Sequence, residues 1–232
     1  MQGGYFSYAL LAALATALLY AAYTDVKRRE IDNWLNAAIA LCAPVWWYSA
    51  GYGWADVGFQ LGLAVLTFIV TCFLFAMRQM GGGDVKLLTA LAFWFSPAAF
   101  VQLIVMMGVI GGGASVAMAF FNMRRVPGEV VRDVLAGVTA IAWVWCACLF
   151  VYAMATRQPL VDPETLATVG SFLPQPWTIA LAIVAVLAFF AFGFRHMLRR
   201  QKSRLPIPYG VAISLAGLWV LSEQAYSAAL LS

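Results

Sequence analysis

Two aspartates stand out because each lies where an apolar segment meets a polar one. Asp25 follows the first apolar run, and Asp84 follows three glycines, Gly81, Gly82 and Gly83. Two carboxyl groups at one site can share a proton, because close like charges resist ionising together. One acid can then donate a proton while the other removes one from water, which hydrolyses a peptide bond without a covalent intermediate. The two acids are therefore candidates for an aspartic dyad.

The composition indicates whether these acids belong to a soluble protein or to a membrane protein. Of 232 residues, 64% are hydrophobic and 10% are charged. Soluble domains contain roughly 45–50% apolar and about 25% charged residues. A helix needs about 20 mostly apolar residues to cross a bilayer. We therefore predict an all-α, polytopic transmembrane bundle forming a single domain over residues 1–232, with membrane lipid as a partner and no nucleic acid.

The apolar runs predict about eight membrane segments, with a range of six to eight. The fourth is short, so it is either a partial span buried among its neighbours or part of one bent helix over residues 85–121, which would leave seven. Residues 156–176 read as a proline-rich exterior loop. The predicted segments lie near residues 5–23, 34–52, 56–77, 85–96, 97–121, 134–155, 177–194 and 208–231.

The basic residues predict the orientation of the chain. With the N-terminus outside, every Lys and Arg except Arg157 falls on the cytoplasmic side. This bias is what membrane insertion follows. Asp25 and Asp84 then lie at the same face, because two full crossings separate them. Ionisable groups in membrane segments are candidate functional residues.

Several neighbours of the acids are open to two interpretations. The glycines before Asp84 either admit a substrate backbone, helped by positive φ angles, or form a flexible turn. The positive charge of Lys86 either alters the protonation of the two acids or reaches to the membrane–water interface. The charge of Lys27 could also perturb the protonation of the acids. Asn33 either caps the second helix or contacts substrate.

Three further expectations come from helix ends and packing. Asp84 begins a helix, which favours its carboxylate, whereas Asp25 ends one, so Asp84 is predicted as the base and Asp25 as the acid. A second glycine run, residues 111–113, is predicted to serve helix packing. His196 is predicted to be a solvated surface residue. No metal or cofactor is expected.

Three motifs in order resemble the type IV prepilin peptidase family. Residues 81–88 resemble its G-x-G-D-x-K signature, and Asp25 with the segment ending at Asn33 resembles its first aspartate motif, with Asp32 in place of the usual proline. Pro208, Tyr209 and Gly210 resemble its Pro-Tyr-Gly segment.

The resemblance implies an intramembrane GxGD-type aspartic endopeptidase with Asp25 and Asp84 as catalytic acids. It would remove a short leader from prepilins at the cytoplasmic boundary of a bacterial inner membrane, alongside pilus or secretion assembly components. The chain resembles the short branch of tight-adherence (Flp) pili without the N-terminal cysteine module, so N-methylation is not expected. The alternatives are a proton-coupled transporter and a non-catalytic component of a pilus or secretion apparatus.

Overall fold

The computed structural model describes residues 5–172, 175–203 and 209–230, and this part of the chain is helical without a β-strand. The all-α prediction is therefore confirmed. The described helices are α1 (Tyr5–Arg28), α2 (Asn33–Ala50), α3 (Trp54–Ala76), α4 (Gly82–Ala92), α5 (Pro97–Phe121), α6 (Val130–Thr156), α7 (Pro163–Phe172), α8 (Pro176–Arg199) and α9 (Tyr209–Leu230).

Five of these helices, α1, α3, α5, α6 and α8, are long and apolar enough to cross a membrane. Each of the eight predicted segments contains a helix, so the membrane-bundle prediction is confirmed, whereas the number of crossings stays a prediction. The eleven residues of α4 extend about 16 Å at 1.5 Å per residue. That length is about half of the ~30 Å hydrocarbon core.

Two sequence-based boundaries are wrong. Helix α1 continues to Arg28 rather than ending near residue 23, so Asp25 lies in its last turn. The predicted exterior loop at 156–176 contains the ten-residue helix α7. Its prolines do not prevent this, because Pro163 begins α7, where a fixed φ and a missing N–H are tolerated.

The chain divides into two compact units, and the first comprises Met1–Gly111 with Pro208–Ser232. The prediction of a single peptidase domain stays a prediction. In this first unit α4 is the most enclosed helix, and α1 packs along α9. The fully or almost fully buried side chains of α4 and the segment after it are Leu87, Leu88, Leu91 and Phe95.

Side chains of neighbouring helices donate hydrogen bonds to the backbone carbonyls at the C-terminal end of α4. The carbonyl of Phe93 accepts hydrogen bonds from Trp47 Nε1 at 2.7 Å and Gln60 Nε2 at 3.3 Å, and Gln60 also donates to the carbonyl of Phe95 at 2.9 Å. Backbone groups away from water need such partners. The fourth segment is thus a short, buried helix, and the bent helix over 85–121 is wrong because helical structure stops between Ala92 and Pro97.

The second unit, Gly112–Ile207, is built mainly from α6 and α8. His196 Nε2 lies 3.0 Å from Asp133 Oδ1, and only 10% and 14% of the two side chains are exposed. The prediction that His196 is solvated is therefore wrong, because α6 packs over it. The glycines at 111–113 do serve helix packing: a methyl group on Gly113 would lie 3.4 Å from Ala147, within this unit.

Candidate active site

Asp25 lies at the end of α1 and faces the beginning of α9. The aspartate is 7% exposed, and the backbone N–H of Val211 donates to its Oδ2 at 3.1 Å. Val211 is the third residue of α9, where N–H groups have no partner within the helix. The first turn of a helix also carries a partial positive charge. The start of α9 therefore supplies a hydrogen-bond donor and a partial positive charge beside Asp25.

Gly210 allows this close approach. A β-carbon at Gly210 would lie 2.8 Å from Asp25 Oδ2 and 3.0 Å from its Cγ, both too short for ordinary contact. The preceding Tyr209 lies with its ring against Gly111, where a β-carbon would be 3.3 Å from Cε1. The structure thus brings Gly210 to Asp25 and places Tyr209 on α5. Pro208 lies outside the described residues.

Asp84 is the third residue of α4 and is also buried, at 8% exposed. Its Oδ2 accepts a hydrogen bond from the backbone N–H of Gly81 at 3.2 Å. Gly82 and Gly83 form the first turn of the helix, so the flexible-turn interpretation is wrong for these two. The expected positive φ is not used here either: Gly81 has a φ of −77°, and the positive-φ glycines of the described chain are Gly51 and Gly128.

Packing accounts for the glycines better than backbone freedom does. A β-carbon on Gly83 would lie 3.3 Å from Ile31 Cβ, and one on Gly82 would lie 3.5 Å from the Phe75 ring. A β-carbon on Gly81 would lie 3.0 Å from Asp84 Oδ2. Gly83 thus lets α4 begin against the loop that joins α1 to α2, Gly82 lets it pack against α3, and Gly81 leaves room for the Asp84 carboxyl group.

The two acids act on each other electrostatically. Asp84 is outside the five candidate membrane helices, and burial, together with the nearby Asp25 carboxylate, raises the pKa of Asp84 from 3.8 to about 6. The hydrogen bond from Gly81 acts in the opposite direction. The structure thus brings together two acids that are far apart in sequence, as the topology allowed.

The surroundings of Asp25 differ from those that the sequence-based assignment of base and acid considered. That assignment considered only the C-terminus of α1 beside Asp25, whereas the structure places the N-terminus of α9 on the same carboxyl group. The pKa of Asp84, predicted as the base, is raised to about 6. Asp84 thus stays protonated up to about pH 6, and the assignment of base and acid within the pair stays a prediction. The approach of α9 had no signal in the sequence beyond the Pro-Tyr-Gly resemblance, since Val211 contributes only its backbone.

The other predicted residues lie at the exposed edge of this site. Lys86 Nζ donates to Asn33 Oδ1 at 2.6 Å, which joins the first turns of α4 and α2. The prediction that Asn33 caps α2 is wrong, because Asp32 occupies the N-cap position and no side chain bonds there. Lys27 donates to Tyr23 Oη at 3.0 Å on the exposed side of α1, so the structure does not bring it to the acids.

A family comparison covers both acids. Residues 12–116 match the sequence model of the type IV leader peptidase family. The prediction drawn from the motifs, that the chain resembles this family, is confirmed over this stretch, which is somewhat less than half of the 232 residues. The match points to a membrane protease. Neither the curated proteins nor the solved structures contain a significant match to the chain.

The stretch that matches the family model ends before α9, whose first residues also contribute to the site. Tyr209 and Gly210 lie beyond residue 116, yet Gly210 and Val211 contact Asp25. The family match therefore covers α1 to α4 and most of α5, and the structure adds the beginning of α9 to the same group of residues.

Proposed function

We propose that this chain is an aspartic endopeptidase that removes the short leader of type IV prepilins or pilin-like proteins, with Asp25 and Asp84 as its catalytic acids. One observation carries the proposal: two buried carboxyl groups from separate helices lie close enough for Asp25 to raise the pKa of Asp84. The match of residues 12–116 to the leader peptidase family supports hydrolysis of a peptide bond.

The geometry suggests how the two acids divide the work. Asp25, whose Oδ2 accepts the N–H of Val211, acts as the carboxylate that removes a proton from water as the water oxygen attacks the scissile carbonyl carbon. Asp84 donates its proton to the carbonyl oxygen, so a neutral tetrahedral diol forms. When the C–N bond breaks, a proton passes from Asp25 to the leaving amine, and the carbonyl that re-forms returns a proton to Asp84. Like charges at short distance make this shared-proton state favourable.

The position of the acids along their helices fits a cleavage site at the membrane boundary. Asp25 lies three residues before the end of α1, next to Lys27 and Arg28, and Asp84 lies two residues after the beginning of α4. Basic residues of this kind remain on the cytoplasmic side. The proposal therefore places the site at the cytoplasmic face of a bacterial inner membrane, with an N-terminus outside and the prepilin helix entering from the bilayer. A Flp-type pilin is the substrate that the motif resemblance favours.

The same placement argues against a transporter. Transporter sites lie near the bilayer midplane at breaks in helices, whereas both acids here lie at helix ends beside basic residues. The remaining alternative, a non-catalytic component of a pilus or secretion apparatus, predicts that the carboxyl groups can be neutralised without loss of leader removal.

Co-expression with a candidate prepilin tests the proposal, with the mature pilin followed by its gel shift. Asp25→Asn and Asp84→Asn should each abolish the mature form. Asp56→Asn is a matched control, because Asp56 is the third residue of α3 and accepts the N–H of Gly53 at 2.9 Å as Asp84 accepts that of Gly81. The control should process normally. Mature pilin from either Asp25→Asn or Asp84→Asn would overturn the proposal.

A further inference from the structure

Ile31 lies in the short loop between α1 and α2, and it contacts the beginnings of α4, which carries Asp84, and of α9, which carries the N–H donor to Asp25. Its side chain is buried, with 7% exposed. Ile31 Cβ would lie 3.3 Å from a β-carbon on Gly83, the residue before Asp84. Ile31 Cδ1 would lie 2.7 Å from a β-carbon on Gly210, the residue before Val211.

These contacts place one aliphatic side chain between the first turns of α4 and α9. Asp84 belongs to the first of these turns, and the N–H that bonds Asp25 belongs to the second. A side chain in a packed interior resists both compression and removal, because it fills its space at close to crystalline density. The length of this side chain therefore fixes how far the two turns stand apart.

We propose that Ile31 is a positioning residue that sets the separation of Asp84 from Asp25 and its N–H donor. This inference rests on the proposed function, and it adds a residue that has no chemistry of its own. Its side chain touches neither proton nor substrate, so its effect must pass through the spacing of the acids. Spacing matters steeply, since a displacement of about 1 Å can lower a rate by about 100-fold.

Shortening the Ile31 side chain distinguishes a positioning role from a general contribution to packing. Ile31→Ala removes the atoms that reach Gly210 and part of the contact with Gly83, so it should lower kcat about 10-fold with KM little changed. Because a looser pair would weaken the influence of Asp25 on Asp84, the activity decline above about pH 6 should move to lower pH. Ile39→Ala is the matched control: Ile39 is also a buried isoleucine of this unit, at 4% exposed, but it lies farther along α2. Ile39→Ala should leave the pH dependence of activity unchanged.

The experiment uses full-length protein in detergent and a fluorogenic peptide with a basic leader, a glycine and an apolar pilin-like segment. Asp25→Asn and Asp84→Asn are run in parallel, so that activity in either would count against the proposed function rather than against Ile31. If both are inactive, a pH profile of Ile31→Ala that coincides with that of Ile39→Ala overturns the positioning role. If Ile31→Ala does not accumulate in membranes, Ile31→Val should show a smaller shift in the same direction, and an unchanged profile in that variant overturns the inference.

Discussion

Asp84 and Asp56 make the same local hydrogen bond in different surroundings. Each is the third residue of its helix and accepts the backbone N–H of the glycine three positions earlier, Gly81 at 3.2 Å and Gly53 at 2.9 Å. Asp56 is exposed, whereas Asp84 is buried beside a second carboxylate. An acid at the start of a helix is an ordinary stabilising feature, so the tertiary position of Asp84, and not its local geometry, makes it a candidate for catalysis.

Leader cleavage should depend on pH in the direction set by Asp84. Because the pKa of Asp84 is raised to about 6, its proton is lost as pH rises through that value, and an acid that must donate loses activity there. We expect kcat to decline from about pH 6 upward in assays with the leader peptide. Asp56→Asn should keep the same profile. Constant activity between pH 5 and 8 would contradict the assignment of Asp84 as the proton donor.

The stability of the protein should also depend on the protonation of Asp84, but here neutralising the acid by mutation should be beneficial. A carboxyl whose folded pKa lies above its unfolded value binds more protons when folded, so stability falls as pH rises from about 4 to about 6. A shift of about two pKa units corresponds to a cost on the order of 3 kcal/mol above pH 6. Asp84→Asn should therefore raise the melting temperature at pH 7.5 more than at pH 4, measured by thermal unfolding in detergent. An equal effect at both pH values would show that burial of the charge is not the cause.

Gly210→Ala should reduce activity because its methyl group displaces the Asp25 carboxylate, which lies 2.8 Å from the new β-carbon. The expected loss of kcat is about 10- to 100-fold. Gly62→Ala provides the comparison, since a β-carbon there meets nothing within 4 Å and alanine favours a helix by about 1 kcal/mol. That variant should retain full activity with equal or greater stability. Normal kinetics in Gly210→Ala would show that the approach of α9 to Asp25 is not needed.

Gln60→Leu should destabilise the first unit without touching the acids. Gln60 Nε2 donates to the carbonyls of Phe93 and Phe95, and an unpaired buried carbonyl costs about 1–3 kcal/mol. Trp47→Phe should cost less, because Gln60 still serves Phe93, and the double variant should lose more than the sum. Gln79→Leu, at an exposed loop position, should be neutral in the same unfolding measurement. Additive losses would mean that the two side chains do not share an acceptor.

The sequence identified the acids but not the way in which they meet. Asp25 and Asp84 follow from their flanking residues and from counting membrane crossings, because apolar length and basic loops constrain topology. The donor to Asp25 did not follow, since Val211 acts through its backbone and belongs to the other end of the chain. Ile31 lies in the segment that resembles the first aspartate motif, but its contacts with two glycines did not follow from the sequence, because only folding brings them together.

Helix ends were the least predictable elements for a related reason. The sequence placed the end of the first membrane segment near residue 23 and Asp25 at the end of the helix, yet Lys27 and Arg28 continue the helix, where their charges suit its C-terminus. Asn33 has the side chain of a good cap, but Lys86 binds it instead. Local preferences of about 1 kcal/mol give way when a neighbouring helix offers another partner.

The contact between Val211 and Asp25 joins α1 to α9, and this has a consequence for biosynthesis. While the ribosome is still adding the segments between these two helices, Asp25 has no N–H donor from α9, and the space beside Ile31 is unfilled. A nascent chain should then lack proteolytic activity until α9 has entered the bilayer. The order of synthesis would thus prevent a partly made protease from cleaving neighbouring membrane proteins.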